Sequence, residues 1–355
     1  MNDLLRSKKR ILVTGGAGFI GGALIRTLLL RSNNYIYNLD KMGYASDLTQ
    51  IEEVFLEAPH LKDRYSFYKL DLSNNALLSE CITQIDPDII FHLAAESHVD
   101  RSILDPRIFL NSNIVGTFNL LESARKHWEK LSDNRKDSFR FHHISTDEVF
   151  GALGENGTFS ELTPYSPRSP YSASKASSDH LVNAWHHTYG LPVLITNCSN
   201  NFGPWQFPEK LIPVAIAKAL DSAPIPMYGN GSNIRDWLFV EDHIEALMLV
   251  ISNGKVGSSY CIGGYGQKSN YEVLELICKK LDIIRPLKFP HNELITSVKD
   301  RPGHDFRYAI DATLITNELG WMPKFSFEEA LSTTVDWYVQ NTCWLKNHQE
   351  SIKND

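Results

Sequence analysis

Short apolar runs recur through the first 200 residues, each separated from the next by a longer stretch with helical spacing. They are RILVT (10–14), YIYNLD (35–40), YSFYKLD (65–71), DIIFHLA (88–94), FRFHHIS (139–145) and PVLITNC (192–198). Several are apolar at consecutive positions, as strands are when helices cover both faces of their sheet. NIVGTFNLLESARKHW (113–128) and YSASKASSDHLVNAWHHTYG (171–190) read as helices between them. This strand–helix repetition predicts a doubly wound parallel α/β sheet. After residue 200 the pattern loosens. Proline and glycine punctuate NFGPWQFPEKLIP, APIPMYGNGS and DRPGHD, and helices are expected near 241–253, 270–281 and 327–340. The expected division is a large domain over 1–200, a smaller lobe over 201–342 with some segments returning to the large domain, and a polar, frayed tail over 343–355.

Bulk composition narrows the partners. A chain of 355 residues exceeds what one compact core usually holds, and its net charge of −7 argues against a nucleic-acid or anionic-membrane surface. An anionic ligand must therefore meet local clusters of cations. The five cysteines are scattered without metal-ligand spacing, which suits a reducing cytoplasm and predicts no metal site. No apolar run is long enough to span a bilayer, and MNDLLRSKKR runs into a strand without the apolar segment of a signal peptide.

Three motifs carry chemistry. VTGGAGFIGG sets Gly15, Gly18 and Gly21 directly after the first strand, where glycines let backbone approach a pyrophosphate at a helix N-terminus. Asp40 ends the second strand, placed to accept from ribose hydroxyls and to repel a 2′-phosphate, although the adjacent Lys41 weakens that preference. Asp71 ends the third strand and suits either an adenine amino group or the turn before Ser73 and Asn74. In YSASK, Tyr171 and Lys175 stand at i and i+4 and share a helix face, so a cationic lysine is expected to lower the phenol's pKa. In ISTDEVFG, two adjacent acids, Asp147 and Glu148, follow a buried strand ending at Thr146. Each motif has a plainer reading: a glycine-rich turn, a half-exposed Tyr–Lys pair, and a loop acid beside a helix-capping acid.

Taken in order and spacing, VTGGAGFIGG, Asp40, LAAESHVDRS, ISTDEVFG and YSASK resemble the extended short-chain dehydrogenase/reductase superfamily. Within it they resemble the NAD-dependent nucleotide-sugar 4,6-dehydratases that act on dTDP-glucose. NNFGPWQFPEKLIP, RDWLFVEDH and DRPGHDFRYAID extend the similarity to about residue 340. The resemblance implies a Rossmann-type fold and tightly held NAD, contacted by Gly15, Gly18, Phe19, Ile20, Gly21, Asp40, Lys41, Asp71, Leu72, Ala94, Tyr171 and Lys175. It implies that Thr146 binds the carbon 4 oxygen, Asp147 is the acid at carbon 6 and Glu148 the base at carbon 5. It places dTDP-glucose against Ser97, Arg101, Asn201, Glu209, Lys210, Arg235, Asn270, Arg301 and His304, and it implies a homodimer built on the helices near 113–130 and 171–190.

Local alternatives remain at several of these positions: Arg235 could pair with Asp236, His304 could serve a turn, and Ser97 or Asn113 could contact cofactor or cap a helix. His98 and Asp100, with Arg101, follow the fourth strand's C-terminal edge, where ligands bind in open α/β sheets. Phe150, Phe202 and Cys261 depart from the family's usual tyrosines and asparagine, which puts pocket hydrogen bonds in question. Rival functions are a 4-epimerase or decarboxylase, which has no need of the full acid pair, a dehydratase for a UDP- or GDP-sugar, which the motifs do not separate, and a non-catalytic NAD sensor, which has no need of the Tyr–Lys pair.

Overall fold

The structure, a computed structural model, describes residues 8–354. Its first half supplies six parallel strands: β1 (Arg10–Thr14), β2 (Tyr35–Asp40), β3 (Tyr65–Lys69), β4 (Ile89–His92), β5 (Arg140–Thr146) and β6 (Val193–Cys198). The second half begins with β7 (Asn200–Phe202), β8 (Ile225–Tyr228) and β9 (Ile234–Phe239). It then returns to the large sheet with β10 (Ser259–Ile262), which pairs with β6 and completes the order β10-β6-β5-β4-β1-β2-β3. In the smaller lobe β11 (Gln267–Ser269) runs antiparallel to β9, β7 lies on the other side of β9, and β12 (Ile295–Val298) pairs with β8.

Strand alternation explains why consecutive residues are apolar. Leu12, Ile90, Phe141, Val193 and Ile195 pack into one core, while Ile11, Val13, Ile89, Phe91 and Leu194 pack into the other. α1 (Phe19–Arg31) covers the second core; α2 (Asn75–Ile85), α3 (Gly116–Trp128) and α4 (Pro170–Tyr189) cover the first. α5 (Val240–Asn253) from the second half packs beside α1, whose Arg31 pairs with Glu245. Sequence order reverses between β1 and β4, so a crevice opens at their C-terminal ends. Among the described residues no helix is long and apolar enough to cross a membrane.

α4, which carries Tyr171 and Lys175, has strong boundaries. Pro170 occupies its first turn, Ser169 and Ser172 cap each other reciprocally, and Gly190 ends it at φ +76°. In the smaller lobe α6 (Asn270–Ile284) and α7 (Phe327–Gln340) open with the same reciprocal device, Ser269–Glu272 and Ser326–Glu329.

Two elements differ from the sequence reading. The helix expected from 113 begins as a π-turn over Leu110–Val115 and becomes α-helical only at Gly116. The widened turn exposes the Asn113 carbonyl to two hydroxyls, Thr117 Oγ1 at 2.5 Å and Ser178 Oγ at 2.6 Å. The tail expected to fray instead forms α8 (Thr342–Asn354). Trp344 docks it against Trp205 and Trp337 and donates from Nε1 to Asp47 at 2.7 Å; Leu345 is buried.

Candidate active site

A single cleft of about 810 Å³ runs from the glycine turn after β1, past the ends of β4 and β5, into the smaller lobe. At its first end Gly15 stands at φ +72°, and a Cβ there would lie 2.6 Å from the Ala94 nitrogen. A Cβ at Gly21 would meet the Gly15 carbonyl at 2.2 Å, so β1 and α1 approach too closely for any side chain. Gly18 caps α1 with no side-chain acceptor, leaving the first-turn N–H groups facing the cleft beside Phe19 and Ile20.

Asp40 is buried at the end of β2; it accepts from Ala17 N and, through its other oxygen, from Met42 N and Ser46 Oγ. Lys41 is tied to Glu96 and does not neutralise Asp40. Asp71 closes the turn by accepting from Ser73 N at 2.8 Å, and it also lines the cleft. Leu72 and Ala94 complete this wall. A glycine cradle, an open helix terminus and a carboxylate at the ribose position fit NAD, and the carboxylate disfavours a 2′-phosphate.

At the centre β5 ends in Thr146, whose Oγ1 caps the short turn Asp147–Phe150 by accepting from Glu148 N. Asp147 is 1% exposed, and its Oδ2 has no partner. Burial, then repulsion from Glu148 and Asp236, raises its pKa well above the usual aspartate range. Burial raises Glu148 too, but Arg235, Lys210 and Arg301 oppose that shift. The surroundings of the two acids therefore differ: repulsion from Glu148 and Asp236 adds to burial at Asp147, whereas Lys210 and Arg301 act at Glu148 and Arg235 acts on both.

Tyr171 lines the same cleft, with its ring edge-on to Phe109 at 6.3 Å. Its phenol is pushed up rather than down, first by burial and then by Glu148. This corrects the expectation that Lys175 lowers it in the protein alone. The Lys175 ammonium donates to the Ile144 carbonyl at 2.8 Å and faces the His143 ring.

In the smaller lobe Asn201, Glu209, Lys210, Arg235, Asn270, Arg301 and His304 all line the cleft, as does Ser97 from the large domain. Arg235 does not pair with Asp236: its guanidinium donates to the Ile234 and Asp305 carbonyls and lies 4.4 Å from the Tyr308 ring centre. His304 Nδ1 bonds Asp300 at 2.6 Å, and Arg301 lies 4.9 Å over the Tyr228 ring. Lys210 donates to the Ser97 carbonyl at 3.2 Å, Arg301 pairs with Asp100 and His98 faces Glu209, so charged contacts link the lobes across the cleft.

Arg101 is the exception. It does not line the cleft, because its guanidinium stacks 3.6 Å over the Tyr44 ring instead. Asn113 neither caps a helix nor lines the cleft; it brackets the Glu96 backbone, accepting from its N–H at 2.8 Å and donating to its carbonyl at 3.0 Å. Phe150, Phe202 and Cys261 also lie outside the cleft, the two phenylalanines within aromatic clusters.

Sequence reasoning missed Tyr44, Tyr228 and Tyr308. Tyr44 donates to Glu209 at 3.1 Å across 165 positions, a contact no local pattern signals. Tyr308 stood inside the matching segment RYAID and was legible there. Among the described residues no cluster of three or more histidines, cysteines or acids could hold a metal.

Comparisons with known proteins show what the chain resembles as a whole. The family model described as GDP-mannose 4,6 dehydratase matches residues 12–334. A dTDP-glucose 4,6-dehydratase of Neisseria meningitidis is 52% identical over 344 residues, spanning 96% of each chain. The solved structure of a dTDP-glucose 4,6-dehydratase from Bacillus anthracis in complex with NAD matches with TM-score 0.82 and 41% identity, covering 95% of this chain and 99% of that one. The dTDP-glucose 4,6-dehydratase from Streptomyces venezuelae, solved with NAD bound, matches with TM-score 0.86 and 38% identity over the same shares. By sequence, fold and the architecture of its cleft, the chain belongs to the GDP-mannose 4,6 dehydratase family.

Proposed function

We propose that this chain is an NAD-dependent hydro-lyase that converts dTDP-glucose to dTDP-4-keto-6-deoxyglucose and water. The observation that carries this reading is the acid pair, Asp147 and Glu148, which stands in the same cleft as Tyr171, Lys175 and the glycine cradle. Reversible oxidation at carbon 4 alone asks for no acid pair, whereas expelling water across carbons 5 and 6 needs both a base and an acid.

Bound NAD supplies reversible redox chemistry at the sugar and is regenerated in each turnover. Tyr171 takes the proton of the carbon 4 hydroxyl, with Lys175 as the nearby cation and Thr146 bonding the carbon 4 oxygen. The resulting ketone acidifies the hydrogen on carbon 5, and Glu148 removes it. Asp147, kept protonated by burial and by its neighbour, gives its proton to the carbon 6 hydroxyl as it leaves. Arg235 and Arg301, with Lys210 and Asn270, meet the two negative charges of the diphosphate that the protein's net charge would otherwise repel.

The working form is a homodimer. Leu104, Ile108, Leu110, Val115 and Phe118 form an exposed apolar stretch beside α4, and Leu104 is 84% exposed. The reaction is cytoplasmic, and its product feeds dTDP-rhamnose synthesis. The test is mass spectrometry of dTDP-glucose incubated with purified enzyme in heavy water, without added NAD. Loss of one water, with one solvent deuterium at carbon 5 and the original carbon 4 hydrogen at carbon 6, is expected. An unchanged substrate mass with NAD bound would overturn the assignment and direct the assay to UDP- and GDP-sugars.

A further inference from the structure

Behind the Tyr–Lys pair lies a buried polar layer with no assigned role. Lys175 is 4% exposed and its ammonium reaches the Ile144 carbonyl, with His143 Nε2 at 3.5 Å. One turn further along α4, Asp179 is completely buried. Its Oδ1 lies 3.0 Å from His143 Nε2; its Oδ2 accepts from Ser145 Oγ at 2.8 Å, Tyr165 OH at 2.9 Å and Asn197 Nδ2 at 3.3 Å. Four donors from β5, β6 and the loop before α4 thus converge on one carboxylate.

The charges in this layer can be enumerated. Lys175 shares a helix face with Tyr171, one turn before it, and meets Asp179 from the same helix, His143 from β5, His92 from β4 and Cys198 from β6. Burial depresses both histidines, His143 to about 4, so both rings are neutral near pH 7. Burial likewise pushes the thiol up to about 12 and the phenol well above its usual range. Burial opposes ionisation of Asp179 too, but His143, Lys175 and Ser145 outweigh it and hold its carboxyl below the ordinary range. Lys175 and Asp179 are therefore the formal charges of the layer, both set against Nε2 of one neutral imidazole. A carboxylate carries no proton to give, so His143 donates from Nε2, and Nδ1 is left without a partner.

We infer that Asp179 is a positioning residue for the dehydratase reaction: a buried counter-charge that, beside His143, keeps Lys175 cationic while anchoring the end of β5 that bears Thr146. Asp179 touches neither substrate nor cofactor and does not line the cleft. Its effect reaches the chemistry through Lys175, whose charge burial would otherwise disfavour. It acts a second time through Ser145 and Asn197, since Asn197 also donates to the Thr146 carbonyl at 3.2 Å. The inference rests on the proposed role of Tyr171 and Lys175.

Two measurements on the full-length enzyme with NAD test it. In Asp179→Asn the alkaline limb of the kcat profile should move to lower pH by about one unit, a roughly tenfold loss on that limb. Asp179→Glu should lower kcat while returning the limb towards its original place. Thermal unfolding supplies a readout that needs no activity. Lys175→Met alone should lower Tm by leaving the buried carboxylate without its counter-charge, and Lys175→Met with Asp179→Asn should regain most of that loss. If Asp179→Asn does not fold, the double variant decides the matter. Additive Tm losses, or an unshifted pH profile in a folded Asp179→Asn protein, would overturn the inference. Because the thermal cycle is independent of turnover, its outcome stands apart from failure of the dehydratase reading itself.

Discussion

The two halves of the cleft recognise their ligands by opposite means. The cofactor half is built from backbone: glycines where a Cβ would collide with Ala94 or with the Gly15 carbonyl, an uncapped helix terminus, and one buried carboxylate at a strand end. The substrate half is built from long cationic side chains on irregular segments, held by carbonyls, aromatic rings and contacts from the opposite lobe. The first half should therefore tolerate a change of charge better than any added atom, and the second the reverse. The acid pair sits where the halves meet, and both halves shape its electrostatics. Burial in the large domain raises Asp147 and Glu148, while Arg235 opposes the rise at both and Lys210 and Arg301 oppose it at Glu148.

Breaking the junction should cost most. Glu148→Gln should lower kcat by roughly 10²–10⁴-fold. Oxidation at carbon 4 should persist, seen as NADH absorbance that builds and stalls. In the substrate half, Arg301→Ala should remove charge-assisted bonds worth about 1.5–3 kcal/mol. A raised KM with nearly unchanged kcat would show this, whereas an equal fall in kcat would place Arg301 in the chemistry instead. In the cofactor half, Gly15→Ala should cost about 1–3 kcal/mol through its left-handed backbone and the contact with Ala94. Purified protein should then carry less NAD and melt at a lower temperature.

A pH-dependent effect follows from Asp147. Its folded-state pKa lies above the unfolded value, so the folded protein holds the extra proton and loses stability as pH rises between the two values. Asp147→Asn removes that slope. The variant should be inactive yet gain on the parent by up to about 1.4 kcal/mol per pH unit across the window, measured by denaturant unfolding at several pH values. The smallest effect belongs to one of the contacts joining the halves: Tyr44→Phe deletes the bond to Glu209 and should cost about 0.5–1.5 kcal/mol, read as faster NAD loss on dilution.

The contrast between the halves also separates what the sequence displayed from what it hid. β1 and β2 stand where their apolar runs end, because strands buried on both faces have sharp compositional edges. The cofactor half was legible for the same reason: turn, strand end and helix start are local features. Arg101 misled because its neighbourhood matches a pattern, while its side chain is captured by Tyr44, 57 positions away along the numbering. The π-turn at Leu110–Val115 and the docked helix α8 escaped notice because each is fixed by tertiary partners, the hydroxyls on Asn113 and the tryptophans around Trp344. Lowering of the Tyr171 pKa by Lys175 was inferred from spacing alone, whereas burial decides its direction in this structure.

The division of acid and base between Asp147 and Glu148 is the central claim, and infrared spectroscopy of their carboxyl groups tests it most directly. Near neutral pH the protein should show a protonated-carboxyl stretch that disappears in Asp147→Asn and persists in Glu148→Gln. A band that survives in Asp147→Asn and vanishes in Glu148→Gln would reverse the assignment of acid and base and contradict the account.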